Sequence, residues 1–198
     1  MREAILARHG ESELSLRRVI NGDPAARCAL TERGRDQARR LGELIANDPI
    51  ELCITSEFER AKETADIALD GVDVPRVVMP ELNDIAVGAF EGGVLEAFRA
   101  WISEHGPAAV PPGGGESRAQ TAVRYARGFR MIAARPEDVI LVVCHGLPVA
   151  FAVGCARGED PPLFLRQEEY AVPNRLSAED LTRAADVLDR WAGDRSAA

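Results

Sequence analysis

Val139-Ile140-Leu141-Val142-Val143-Cys144-His145-Gly146 decides the reading of the chain. Its six apolar residues include four β-branched ones, and the run is short for a helix but suits a strand buried on both faces, as in a parallel sheet. His145 and Gly146 end the run, and Pro148 fits the first turn of a following helix. The same grammar opens the chain, where Glu3–Arg8 holds the apolar run Ala4–Ala7 and leads into His9-Gly10. Between and beyond these strands, helical spacing predicts helices over about Thr31–Ala46, Glu57–Leu69, Val94–Ser103, Ser117–Ala134 and Ser177–Trp191. Strands are predicted at Leu52–Thr55, Val77–Met79 and, late in the chain, Tyr170–Val172. Residues 11–30 and Pro80–Gly93 read as loops, and Pro107–Gly115 as a breaker segment. Strands alternating with helices imply an α/β fold, a three-layer α/β/α sandwich with a largely parallel central sheet, built as one domain over 1–198. Ligands of such sheets sit beyond the carboxyl ends of the strands, where both His-Gly pairs fall.

Composition narrows the function. The 198 residues are 46% hydrophobic and 28% charged, which is ordinary for a folded domain. Net charge is -8, which argues against nucleic acid as a partner because phosphate neutralisation needs a basic surface. No apolar run reaches membrane-spanning length, so no membrane is expected. Cys28, Cys53, Cys144 and Cys155 form no CxxC pair, and with no export signal they read as reduced thiols of a cytoplasmic protein.

Arg8-His9-Gly10 alone is compatible with a strand-end turn. It also offers a guanidinium fork for an anion, a nucleophilic ring nitrogen and a glycine that lets backbone approach a ligand. Arg60, near the start of the helix after the second strand, is either a surface residue pairing Glu57 or Glu63, or a further anion ligand. His145 is either a capping residue or part of the same pocket. Two arginines and two histidines converging on one spot would suit a phosphoryl dianion.

These residues fall in motifs that resemble the histidine phosphatase superfamily, often called phosphoglycerate mutase-like. The matching segments run in order: RHGES at 8–12, LTERGRDQARRLGELI at 30–45, SEFERAKETA at 56–65, ELNDIAVGAFEG at 81–92, PGGGES at 112–117 and VILVVCHG at 139–146. The resemblance implies a phosphohistidine formed on His9, with Arg8, Arg60, His145 and Gly146 around the phosphoryl group and Asn21-Gly22 in a loop over it. It implies no metal and no cofactor, and the three histidines show no metal-ligand spacing. Relatives with an LNE-type segment use its Glu as the general acid; here Leu82-Asn83-Asp84 puts Asp84 at that position, with Glu81 as a rival. Glu91 matches a position that holds the loop, and Glu116-Ser117 a pair for which helix capping is expected. Phe90, Phe98, Trp101 and His105 are candidates for choosing the substrate, each also readable as packing or surface.

The expected function is hydrolysis of a small phosphomonoester. A cofactor-dependent phosphoglycerate mutase is the alternative, disfavoured by Ser15 where mutases carry Asn and by the short stretch between Asp84 and His145. A catalytically weak phosphate sensor is a third reading, supported by Asp84 and opposed by the retained His and Arg set. The expected partner is a small phosphorylated substrate, with a homodimer left open.

Overall fold

The computed structural model describes residues 1–164 and 169–196. Five strands, β1 (Glu3–Arg8), β2 (Leu52–Thr55), β3 (Arg76–Val78), β4 (Val139–Cys144) and β5 (Asn174–Leu176), form one sheet in the order β3-β2-β4-β1-β5. The first four are mutually parallel, and β5 closes the sheet antiparallel to β1. The helices are α1 (Glu13–Leu16), α2 (Glu32–Ile45), α3 (Glu59–Ala68), α4 (Leu95–His105), α5 (Arg118–Ala133), α6 (Gly146–Ala156) and α7 (Ala178–Ser196).

Side chains alternate across the central strands, and each face finds its own cover. Ala4, Leu6, Ile140 and Val142 pack with Phe129 of α5, Phe151 of α6 and Leu188 of α7. Ile5, Ala7, Leu141 and Val143 pack with Leu41 of α2 and Ala61 and Ala65 of α3. β4 is buried along its whole length, as its unbroken apolar run requires. The three layers are those expected from the sequence.

Several local expectations need correction. The expected strand at Tyr170–Val172 is a turn; the late strand lies at Asn174–Leu176, where an edge position asks for only one buried residue, Leu176. The 11–30 loop contains the short helix α1, closed by reciprocal Ser12 and Ser15 bonds. The helix expected over Glu57–Leu69 starts at Glu59, because Phe58 is extended and buried. The Pro80–Gly93 loop includes two single turns of 3-10 helix, Pro80–Leu82 and Gly88–Phe90. The last helix continues past Trp191 to Ser196.

Register builds the site. Arg8 lies opposite Cys144, and the His9 amide donates to the Cys144 carbonyl at 2.9 Å, so the two His-Gly pairs leave the sheet side by side. β2 neighbours β4 and leads into α3, whose first turn carries Arg60. Gly10 also has a packing role. A Cβ there would stand 2.4 Å from the Gly34 carbonyl oxygen, and one on Gly34 would stand 2.0 Å from that of Glu11. Both glycines allow a close approach between the strand end and the start of α2.

Candidate active site

His9 and His145 meet edge to face, with ring centroids 5.3 Å apart. The Nδ1 of His9 lies 2.7 Å from the Gly10 carbonyl. A carbonyl only accepts, so Nδ1 carries the proton and Nε2 keeps its lone pair. That lone pair accepts from the Nε of Arg60 at 3.0 Å. Burial, then Arg60, then Arg8 lower the pKa of His9 well below its ordinary value. His145 is buried too, and burial followed by Arg60 pushes its pKa well down, so both rings are neutral. His145 Nδ1 accepts from Arg60 at 3.2 Å, which leaves Nε2–H to donate to Ser56 Oγ at 2.9 Å.

Arg60 is the hub. Besides both histidines it donates to the Asn21 side-chain oxygen and, at 3.1 Å, to the Asn21 carbonyl. It forms no pair with Glu57 or Glu63, which bind Asn83 and Arg35 instead. Its position is held from behind by Thr64, whose hydroxyl donates to the Arg60 carbonyl and accepts from the Gly10 amide. Arg8 stacks its guanidinium 3.8 Å above the ring of Tyr170, which sequence reading had placed in a strand. Gly146 begins α6 and packs along the Arg8 side chain. Gly22 lines the cavity, but its amide is taken by both carboxylate oxygens of Glu91, at 3.0 and 2.9 Å, so Glu91 holds the loop as expected.

Asp84 reaches this cluster, with Oδ2 3.7 Å from both the Arg60 guanidinium and His145 Nδ1. Glu81 does not: it pairs with Arg127 at 2.9 Å and is absent from the cavity wall. Ser117 caps α5 by accepting from the Gln120 amide, whereas Glu116 pairs with Arg124 at 2.6 Å instead of capping. Of the four aromatic candidates, Phe98 lines the cavity, while Phe90, Trp101 and His105 stack around it outside. Sequence reading missed Tyr170, Arg99 and Arg118 as cavity residues. Arg118 stands next to the recognisable Glu116-Ser117 pair, the one signal that could have drawn attention to it.

The cavity over these residues holds about 360 Å³ and has both polar and apolar walls. A shallower groove of about 930 Å³ lies between Arg27, Arg39, Lys62 and Asp70, but it offers mixed surface charge and no histidine. Among the described residues no group of three or more His, Cys, Asp or Glu could hold a metal ion. No helix among them is long and apolar enough to cross a membrane.

Residues 4–190 match the histidine phosphatase superfamily (branch 1), and the chain belongs to that family. It is 36% identical over 107 residues to an adenosylcobalamin/α-ribazole phosphatase of Salmonella typhimurium, a match covering 50% of this chain and 52% of that protein. It is 30% identical to a 2,3-bisphosphoglycerate-dependent phosphoglycerate mutase of Brucella melitensis, over 94% of this chain and 98% of the other. Bacillus stearothermophilus YhfR superposes with a TM-score of 0.75 at 25% identity, covering 87% of this chain and 89% of that one.

Proposed function

We propose that the protein hydrolyses small phosphomonoesters through a phosphohistidine on His9. The observation that carries this reading is the tautomer of His9: the Gly10 carbonyl fixes the proton on Nδ1, so Nε2 is a nucleophile in a cavity lined by cations. On binding, the Arg60 donor that caps Nε2 passes to a phosphoryl oxygen and frees the lone pair. Nε2 attacks phosphorus, the P–O ester bond breaks, and Asp84 gives its proton to the departing alkoxide. Arg8, Arg60, His145 and the exposed amide end of α6 at Gly146 stabilise charge on the equatorial oxygens. Asn21 and Gly22 shape the loop beside them. A water then loses a proton to Asp84 and attacks phosphorus, the N–P bond breaks, and orthophosphate leaves.

A labelled phosphoester quenched without acid should leave label on His9 that is stable to alkali and labile to acid. His9→Ala should abolish both label and turnover; label persisting in that variant overturns the assignment. The match to the Brucella mutase along 94% of the chain favours one second reading, transfer of the phosphoryl group to an acceptor instead of water. Measuring orthophosphate against phosphorylated acceptor separates the two, and hydrolysis should dominate. All the named site residues come from one chain, so the chemistry asks for no second copy, and the segments that follow β1, β2 and β4 bring them together within one domain. Four buried free thiols support a cytoplasmic location.

A further inference from the structure

Among the described residues, the non-glycine positions with left-handed backbone are Arg18 and Ala171, with φ of 57° and 54°. Arg18 lines the cavity, and Ala171 follows Tyr170, which lines it too. An alanine in that region carries a conformational cost that glycine would avoid, and strain of this kind collects at functional sites. Ala171 is held there twice. Its methyl is buried in one cluster with Ile5, Ala7 and Val143 of the central strands, and its amide donates to the Arg8 carbonyl at 2.9 Å. That bond ties the Tyr170-Ala171 turn to the end of β1. The Tyr170 ring centroid lies 3.8 Å from the Arg8 Cζ and 6.1 Å from the centroid of the His9 ring. Backbone closes on the same side chain, since a Cβ on Gly146 would stand 3.6 Å from the Arg8 Cδ and Nε.

We propose that Tyr170 is a positioning residue, which stacks on the Arg8 guanidinium and presents its N–H edge to the phosphoryl group. The inference rests on the reading above, in which Arg8 is a ligand of that group. Arginine has many rotamers, and an anion that had to order the side chain itself would bind more weakly. A ring against the guanidinium removes that freedom in advance, and the negative π-face favours the cation. The N–H bonds lie in the guanidinium plane, so stacking on its face does not compete with hydrogen bonds to oxygen. A carboxylate could hold Arg8 as firmly, but it would neutralise the charge and repel the incoming dianion. An aromatic ring does neither.

Orthophosphate is the probe, because it has no leaving group to touch Tyr170, and calorimetry reads its Kd. Tyr170→Leu should weaken its binding at least about fivefold, and a smaller loss overturns the inference. Tyr170→Phe, and the same ring carrying one, two and three fluorines, keeps the packing while weakening the negative π-face. Affinity should fall step by step along that series; a flat series means that the ring only fills space and overturns the stacking. A double-mutant cycle tests the link to Arg8. In the Arg8→Met background, Tyr170→Leu should change kcat/KM for an aryl phosphate by no more than about twofold. An undiminished loss there would show that Tyr170 acts without Arg8 and would also overturn the inference. So would a wild type that binds no orthophosphate. Turnover of the aryl phosphate reports the hydrolase reading separately. No turnover with the fluorine trend intact would sink that reading and uphold the positioning of Arg8.

Discussion

At the scale of single residues, Arg60 joins every reactive group, so its loss should be felt most in turnover. Arg60→Ala should cost about 3 kcal/mol of transition-state stabilisation, on the order of 100-fold in kcat; a loss below tenfold would return it to a structural role. Asp84→Asn should slow alkyl phosphates much more than aryl phosphates, because an aryloxide leaves with little protonation. Equal losses would mean that Asp84 only shapes its loop. The neutral histidines set the pH response. With both pKa values held well below 6.5, kcat/KM for an aryl phosphate, corrected for the substrate's own ionisation, should stay flat from neutral pH into the mildly acidic range. A limb centred near the ordinary histidine value would contradict the geometry. Stability carries the opposite burden. Below about pH 6.5 the unfolded chain takes up protons on both rings and the folded chain does not, so stability is full above that pH and declines below it, by up to about 1.4 kcal/mol per pH unit per histidine. Urea midpoints measure this, and His9→Asn should remove about half of the slope. His9, His145 and Arg60 were legible because each sits at a strand end or in a first helical turn. Which of Asp84 and Glu81 faces the histidines was not, since Glu81 turns instead to Arg127.

At the scale of elements, α5 governs the loop that carries Asp84. Arg124 donates to the carbonyls of Glu81, Asn83 and Asp84 at 2.9, 2.9 and 3.2 Å and is anchored through Glu116. Tyr125 adds a bond from its hydroxyl to the Asn83 carbonyl at 3.0 Å. Burial opposes the charge of Arg124, yet Glu116, with Tyr125 and Asp84, more than offsets it and the net pKa is raised. Arg124→Met should therefore lower stability by about 2 kcal/mol or more through the stranded carbonyls and Glu116. It should also widen the gap between aryl and alkyl turnover, a change that simple destabilisation would not produce. The helices were readable from their apolar spacing because α2, α5 and α7 each bury a continuous stripe. β5 escaped notice because three edge residues with one buried side chain leave no alternation to detect.

At the scale of the molecule, an acidic chain of net charge -8 places five arginines, among the described residues, around one cavity. The attraction for a dianion is local, so kcat/KM should fall as ionic strength rises from about 0.02 M to about 0.5 M, as screening shortens the reach of the field. Orthophosphate at about 100 times its Kd should stabilise the fold by about 2.7 kcal/mol, read as a rise in Tm. No shift at saturating phosphate would show that the cluster does not take the anion. The layer order and the parallel core were legible in the two His-Gly strand ends, whereas the cation surplus was not, because Arg18, Arg99 and Arg118 are far apart in sequence and meet only through packing.

The sheet order also has a bearing on how the protein is made. β1 lies between β4 and β5, so its neighbours are residues 139–144 and 174–176. At ordinary ribosome speeds, on the order of ten seconds pass between synthesis of the first strand and of its first partner. For that interval the Ala4–Ala7 run has both edges open, the condition that invites pairing with another chain. The proposed nucleophile follows that run directly, so the arrival of β4 covers one edge of the run and brings His145 beside His9, while the other edge waits for β5.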